Sequence, residues 1–251
     1  MTAAVTDQAE VVDDHGAGPP IVLLHGVGFG PETFGAVAAA VATSCRVLVV
    51  RRPRPAPGGR PLRCQAAAVL ATVQERLGDQ PVTVAGVSGG ATLALALAVD
   101  EPGFVAGLVA HEPLVGRLEP TLWERVGHAA RQLAGGTLDP AGWFRGLVGA
   151  DDWEALTEEQ RDGVLGPVVE LVRDIEPFVT WDPTASSFGV LRGKPVVVTV
   201  GERSGPERVQ AAGVVERLGG ARAAVLPATG HLAQLQSPDA FAALVREVAA
   251  A

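Results

Sequence analysis

Short apolar runs alternate along the chain with longer segments rich in Ala, Leu and Val. The runs are β-branched, bounded by Gly or Pro and mostly continuous, which is typical of strands buried on both faces of a sheet. The predicted strands are residues 21–24, 46–50, 82–85, 104–110, 195–200 and 221–226. The predicted helices are residues 32–42, 62–77, 91–99, 206–218 and 238–249. Because strands and helices alternate, the pattern predicts an α/β fold with a mostly parallel central sheet flanked by helices.

Two further segments lie outside this alternation. Residues 6–12 predict an antiparallel edge strand, and residues 51–59, with the sequence RRPRPAPGG, predict an irregular loop.

The alternation stops after residue 110 and resumes near residue 193. Between them, short helical segments are broken by Gly-Gly, Asp-Pro and Gly-Pro, and this stretch contains all the tryptophans: Trp123, Trp143, Trp153 and Trp181. We predict a core domain at residues 1–113 and 183–251, with residues 114–182 inserted as a mobile helical cap (lid) over a pocket. The alternative is that the tryptophans only pack the insertion against the body.

Composition narrows the class of protein. The chain has 251 residues, of which 47% are hydrophobic and 19% charged, and this describes one globular domain. The formal charge of -8 argues against nucleic acid or an anionic membrane as the main partner. A small-molecule substrate is the expected partner, and the sequence leaves a homodimer open.

The expected location is the cytoplasm. Cys45 and Cys64 are too few for a disulfide framework and lack zinc-binding spacing, so we interpret them as free thiols and expect no metal site. Residues 1–16 carry acids where a signal peptide needs a basic region. No apolar run has the length of a membrane span.

The strongest chemical motif is Gly86-Val87-Ser88-Gly89-Gly90, placed directly after a predicted strand and before a predicted helix. A serine on so sharp a turn projects above the sheet, and glycines are needed on both sides because other side chains would collide. This pattern predicts a nucleophilic Ser88. The alternative is a glycine-rich turn with an incidental serine.

A second motif, Leu24-His25-Gly26-Val27-Gly28, ends an earlier strand. The backbone N–H groups of Val27 and Gly89 are the candidate oxyanion hole, and we expect His25 to hold its loop by hydrogen bonds. The competing interpretation is a dinucleotide site, but Pro31 occupies the position of the third glycine in that fingerprint.

The candidate general base is His231, in Thr229-Gly230-His231 after the last predicted strand. From that loop an imidazole can reach the serine across the carboxyl edge of the sheet. Of the other histidines, His15 lies in the N-terminal arm, His111 at a strand end and His128 in the cap, and His25 is expected to hold its loop.

Taken together, these motifs resemble the α/β-hydrolase family, in its lidded, small-molecule serine hydrolase and esterase type. The resemblance runs from the His25-Gly26 loop to His231, and the family presents its triad in the order serine, acid, histidine. It implies attack by Ser88 on a carbonyl, proton transfer to His231 and hydrolysis of an acyl-enzyme. Ser88 also separates the chain from the epoxide hydrolases and haloalkane dehalogenases of this fold, which place an aspartate there.

The acid departs from the family pattern. Members usually carry it in Gly-x-x-Asp after the strand that ends here at Val200, but this chain has Ser204 in that slot. We predict Glu112 as the acid instead, because the strand before it should lie beside the strand that leads to Ser88. Pro113 is expected to hold Glu112 in an extended conformation. Glu202 is the rival, and a Ser88–His231 dyad is the third alternative.

The resulting hypothesis is a cofactor-independent serine hydrolase acting on an ester, lactone or thioester of a modest-sized apolar molecule. Trp143 and Trp181 are the candidate substrate-binding residues, and the lack of a charged cluster in the cap argues against a strongly ionic substrate. The alternatives are a non-hydrolytic lyase or cyclase of the same fold and a slowly acting ligand-binding relative.

Overall fold

A single mostly parallel sheet organises the molecule. The computed structural model describes residues 8–53 and 61–251. The strands are β1 (Glu10–Gly16), β2 (Pro20–Leu24), β3 (Arg46–Arg51), β4 (Val82–Val87), β5 (Val105–His111), β6 (Val196–Gly201) and β7 (Arg222–Leu226). They form a 7-stranded sheet in the order β1-β3-β2-β4-β5-β6-β7. Only β1 pairs antiparallel in this sheet; the other pairings are parallel. The predicted α/β architecture is therefore confirmed.

Helices connect the strands and cover both faces of the sheet. They are α1 (Gly35–Val41), α2 (Leu62–Leu77), α3 (Gly89–Asp100), α4 (Pro120–Ala134), α5 (Pro140–Val148), α6 (Ala150–Glu154), α7 (Glu158–Val164), α8 (Val168–Thr180), α9 (Pro206–Gly219), α10 (Ala233–Gln236) and α11 (Pro238–Ala249). Residues of α2, α3 and α9 share one core with the sheet, and residues of α1 and α11 share the other. Since both faces are covered, strands β2 to β6 are buried along most of their length and lack polar alternation.

The edge strand β1 lies further along the chain than predicted. It begins at Glu10, and positions 6 and 7 of the predicted strand lie outside the described residues. Most of its side chains are exposed, so polar residues such as Asp13 and Asp14, which lie beyond the predicted strand, are tolerated at a sheet edge. Asp14 accepts hydrogen bonds from Arg46 of β3 at 2.8 and 2.9 Å, which helps to hold this register. The predicted loop at residues 51–59 begins too early, because Arg51 is the last residue of β3, and positions 54–59 lie outside the described residues.

Helices α4 to α8 lie in the helical insertion (residues 114–182), between β5 and β6. Side-chain oxygens mark three of their starts: Glu119 accepts from Leu122 N–H, Asp139 from Gly142 N–H, and Thr157 forms a capping box. A third hydrophobic core consists mainly of insertion residues such as Phe144, Trp153 and Ile175. It also includes Phe29 and Leu232 of the body. Because it shares this core with the body, the insertion packs directly onto the carboxyl edge of the sheet.

The structure also bears on the two cysteines and on whether any helix could span a membrane. Cys45 is buried and Cys64 is exposed, and both are free thiols. Among the described residues, no helix combines the length and the apolar character needed to cross a membrane.

Candidate active site

Ser88 lies at a sharp turn between β4 and α3. Its φ is 55°, in the left-handed region that a non-glycine residue seldom adopts. A Cβ on Gly90 would lie 2.0 Å from the Leu24 carbonyl oxygen, and one on Gly86 would lie 2.4 Å from the Gly90 backbone. Larger residues cannot occupy these positions, so the two glycines allow the turn that exposes Ser88.

A cavity lies between this turn and the helical insertion. Its free volume is small, about 40 Å³, which is room for only a few water molecules. The insertion contributes apolar side chains to its wall: Val126, Trp143, Phe144, Leu147, Ile175 and Phe178. The polar side chains in the wall come from the body of the protein: Ser88, Glu112, Arg208, His231 and Gln234.

The structure also brings the two predicted oxyanion donors together at this cavity. Val27 and Gly89 both line it, and a Cβ added to Gly89 would lie 2.9 Å from Val27 Cγ2. Within the described residues, neither backbone N–H donates a hydrogen bond. Both donors are therefore available to a ligand oxygen.

His231 is held by a short contact to Glu112. Its Nδ1 lies 2.6 Å from Glu112 Oε2, so an ionised Glu112 fixes the proton on Nδ1 and leaves Nε2 as the free lone pair. Burial, reinforced by the charge of Arg208, lowers the pKa of His231 to about 4. In the described structure no hydrogen bond joins Ser88 Oγ to His231, although both line the cavity; such contacts often tighten only when substrate binds.

Glu112 follows β5, at the edge where β4 ends in Ser88. Its Oε1 accepts hydrogen bonds from Gly201 N–H at 3.0 Å and from the Ser204 hydroxyl, and Arg208 Nε lies 3.1 Å from its Oε2. Burial alone would raise the pKa of Glu112, but the Arg208 guanidinium and the hydrogen bond from His231 hold it well below its usual range. The buried carboxylate is therefore ionised.

Ser204 thus hydrogen-bonds the same carboxylate that reaches His231. The rival Glu202 is exposed, and its Oε2 accepts from Ala228 N–H at 2.7 Å. The expectation that Pro113 keeps Glu112 extended is wrong, because Glu112 has a φ of 51°. This left-handed conformation is held by the surrounding contacts of its carboxylate, which outweigh the local preference.

His111, which sequence reasoning set aside, lies behind this pair of residues. Its ring is fully buried, with Nε2 3.1 Å from the Gly230 carbonyl oxygen and Nδ1 2.9 Å from Thr199 Oγ1. A carbonyl oxygen can only accept, so Nε2–H donates to it, and the neutral ring that burial favours leaves Nδ1 to accept from the Thr199 hydroxyl. Burial accordingly lowers the pKa of His111. His111 holds the backbone that precedes His231.

A second buried network holds the loop at residues 25–28. Arg52 donates from Nε to His25 O at 2.8 Å and from Nη2 to Gly26 O at 3.0 Å. It also forms two 3.0 Å hydrogen bonds with Asp174 of α8, whose Oδ2 accepts from Gly28 N–H at 3.4 Å. The loop that carries the Val27 N–H is thereby tied to the insertion.

His25 fits the predicted loop-holding role. Its Nδ1 lies 3.0 Å from the Gly26 carbonyl oxygen, and its Nε2 accepts from Arg52 N–H at 3.1 Å. Burial and the charge of Arg52 lower the pKa of His25 to about 3, so the ring is neutral and both of its nitrogens are occupied.

The two candidate substrate-binding tryptophans lie in different places. Trp143 lines the cavity, with its ring centre 4.5 Å from that of Phe144. Trp181 is absent from the cavity wall and instead packs on the core of the body, 6.4 Å from the ring of Phe188. The short stretch that returns the chain to the body carries Trp181 away from the site. The prediction that Trp181 binds substrate rested only on its position in the insertion.

Arg208 was not among the predicted site residues. It lies in the first turn of α9 and is 5% exposed. No sequence signal separates it from the many other arginines, because its approach to Glu112 depends on how β5 and β6 pair. In the part of the chain that the structure describes, no group of three or more His, Cys, Asp or Glu side chains is arranged to hold a metal ion.

Comparison with known proteins identifies similar folds. A family model described as the alpha/beta hydrolase family matches residues 21–244, whereas no curated protein matches the chain. The solved enol-lactonase from Burkholderia xenovorans LB400 is 18% identical, with a TM-score of 0.78 and 95% of each chain covered.

Two further solved structures show the same likeness. A thermophilic esterase from Thermogutta terrifontis is 20% identical, with a TM-score of 0.72 over 94% of this chain and 90% of that chain. A hydrolase from Pseudomonas aeruginosa PA01 is 20% identical, with a TM-score of 0.75 over 95% and 93%. At these identities the likeness shows the fold, which agrees with the resemblance drawn from the sequence.

Proposed function

Because this chain belongs to the alpha/beta hydrolase family, we propose that it is a serine hydrolase that cleaves an ester, lactone or thioester of a small molecule through an acyl-enzyme. The observation that carries the proposal is the cavity where Ser88 lies with His231, whose Nδ1 is 2.6 Å from the ionised Glu112. A nucleophile, a base and a group that orients the base are the parts that acyl transfer requires.

In the proposed reaction, His231 Nε2 takes the proton of Ser88 as Oγ attacks the carbonyl carbon. The N–H groups of Val27 and Gly89 donate to the oxyanion that develops, and the positive end of α3 favours the same charge. The imidazolium returns its proton to the leaving alcohol or thiol. A water then attacks the acyl-enzyme by the same route and releases the carboxylic acid, while Glu112 stabilises the imidazolium in both halves.

The helical insertion is proposed to act as the cap over this site. Its apolar side chains, Trp143 and Phe144 among them, form much of the cavity wall, which favours a substrate with an apolar body. The free volume is only about 40 Å³, and we propose that the cap moves to admit a substrate. Water exclusion after closure would strengthen the hydrogen bonds to the oxyanion.

Labelling with an organophosphonate tests the nucleophile directly. We expect one covalent adduct, located by mass spectrometry at Ser88, and burst release of alcohol from a chromogenic ester. Ser88→Ala should abolish labelling and lower turnover by roughly a millionfold, as loss of a triad serine does elsewhere. Ser186→Ala, which alters an exposed serine, is the matched control and should change neither.

Two results would contradict the proposal. An adduct at another residue would reassign the nucleophile. Binding without burst or turnover across a panel of acyl esters would favour a lyase, a cyclase or a ligand-binding protein.

A further inference from the structure

The cavity wall contains one buried cation that the proposed acyl transfer does not use. Arg208 lines the cavity together with Ser88 and His231, and its side chain is only 6% exposed. Burying a guanidinium is costly unless its charge and its N–H donors are matched.

Arg208 is only partly matched by the protein. Its Nε lies 3.1 Å from Glu112 Oε2, but in the described structure neither Nη atom donates a hydrogen bond. The neighbouring carboxylate of Glu207 is occupied elsewhere, since Glu207 Oε1 lies 2.6 Å from Arg125. A guanidinium has five N–H donors, so Arg208 keeps donors that can serve a ligand.

The carboxylate in contact with Arg208 is also shared with other donors. Glu112 accepts hydrogen bonds from His231, Ser204 and Gly201 in addition to its contact with Arg208. A second anion beside the Nη atoms would satisfy their donors and offset the remaining positive charge. The fork of a guanidinium matches the two oxygens of a carboxylate.

We propose that Arg208 forms a carboxylate-binding subsite, so that the substrate is an ester, lactone or thioester that carries a free carboxylate near its scissile carbonyl. This inference rests on the proposed hydrolase function. It revises the expectation of a non-ionic substrate, because the charge that recognises the ligand comes from α9 of the body and not from the insertion. The apolar wall would contact the hydrocarbon between the two carbonyl groups.

A bound carboxylate would also assist the chemistry. The charge of Arg208 disfavours a proton on His231, and an anion held against Arg208 would offset that effect when His231 accepts the Ser88 proton. The anionic substrate should therefore have a higher kcat as well as a lower KM than its neutral counterpart.

The test compares two esters that differ only in the carboxylate. We would measure kcat/KM for p-nitrophenyl hydrogen glutarate and for p-nitrophenyl valerate, in the wild type, in Arg208→Gln and in the control Arg217→Gln. Arg217 lies in the same helix and is exposed. The ratio of the two kcat/KM values isolates recognition of the carboxylate from any effect of Arg208 on Glu112.

We expect the wild type and Arg217→Gln to prefer the anionic ester, and Arg208→Gln to lower that ratio roughly 10- to 100-fold, as expected for loss of a charged hydrogen bond. An unchanged ratio in Arg208→Gln, or no preference in the wild type, would overturn the subsite and leave Arg208 as a counter-ion of Glu112 only. If Arg208→Gln does not fold, competitive inhibition of the wild type by glutarate, but not by glutaramide, decides the same question.

A direct binding measurement separates this inference from the proposed function. Calorimetric titration of Ser88→Ala with monomethyl glutarate and with methyl valerate needs no turnover. Preferential binding of the anion without hydrolysis by the wild type would support the subsite and contradict the hydrolase. Hydrolysis of both esters by the wild type, with equal binding to Ser88→Ala, would support the hydrolase and contradict the subsite.

Discussion

Arg52 and Arg208 are two buried arginines beside the same candidate site, and the protein treats them differently. Arg52 binds two backbone carbonyl oxygens and both oxygens of Asp174, and it does not line the cavity. Arg208 meets one oxygen of Glu112 and faces the cavity. A guanidinium whose N–H donors all have acceptors holds neighbouring segments in place. A guanidinium that keeps unpaired donors next to a cavity is available to a ligand.

The comparison extends to the base that each arginine influences. The charge of Arg52 acts on His25, whose two nitrogens already have partners. The charge of Arg208 acts on His231, whose Nε2 has no hydrogen-bond partner among the described residues. The Arg52 network therefore holds the loop of the oxyanion donors, and the Arg208 network sets the charge around the candidate base.

The largest effect should come from removing the anion of the Arg208 network. Glu112→Gln keeps the shape of the side chain but takes away the charge that orients and stabilises protonated His231, so kcat should fall by about 10⁴-fold, as for an altered triad acid elsewhere. Steady-state kinetics with a chromogenic ester measures this. Glu202→Gln is the control and should stay within a fewfold of the wild type. Equal losses in the two variants would remove the special role of Glu112, and the opposite ranking would transfer that role to Glu202.

An intermediate effect is expected from breaking the Arg52 network. Arg52→Gln removes the guanidinium that donates to the Asp174 carboxylate and to two carbonyl oxygens. Loss of one partner of a buried ion pair costs about 3 kcal/mol in unfolding free energy, and the displaced loop at residues 25–28 should lower kcat more than it raises KM.

Chemical denaturation and steady-state kinetics would follow these two quantities. Arg46→Gln removes the exposed pair with Asp14 and should cost less than about 1 kcal/mol. The preference between anionic and neutral esters should be unchanged in Arg52→Gln. A change in that preference would mean that Arg52 also affects recognition of the carboxylate, and it would contradict the separate roles of the two arginines.

The smallest effect is a shift in pH dependence. His231 accepts the Ser88 proton only when it is neutral, so activity falls as pH drops through its pKa. Because burial and Arg208 lower this pKa from 6.5 to about 4, kcat/KM for a neutral ester should hold through pH 6 and fall only near pH 4.

Removing each arginine sharpens this prediction. Glu112 and His111 also act on His231, but they remain in both variants. Arg208→Gln should move the acidic limb upward, and Arg52→Gln should leave it in place. Full pH–rate profiles of the three proteins would show this, and a common shift in both variants would point to a general loss of structure.

Part of the site followed from the sequence by topological reasoning. The motif around Ser88 predicts its own turn, because the two close backbone approaches demand glycine at Gly86 and Gly90. Glu112 followed from the expectation that β5 lies beside β4, and this adjacency is confirmed. The conformation of Glu112 did not follow, since its positive φ depends on distant partners that the preference before proline does not include.

The sequence by itself determined the alternation of strands and helices, the turn that exposes Ser88 and the order of the chemical motifs, because each depends on residues close together in the chain. Only the tertiary structure decided that Trp143 faces the cavity while Trp181 does not, and that Arg208 rather than another arginine meets Glu112. These contacts join segments that are far apart in sequence, and burial removes water as an alternative partner. Which donor then meets which acceptor depends on the packing of the strands and helices that carry them.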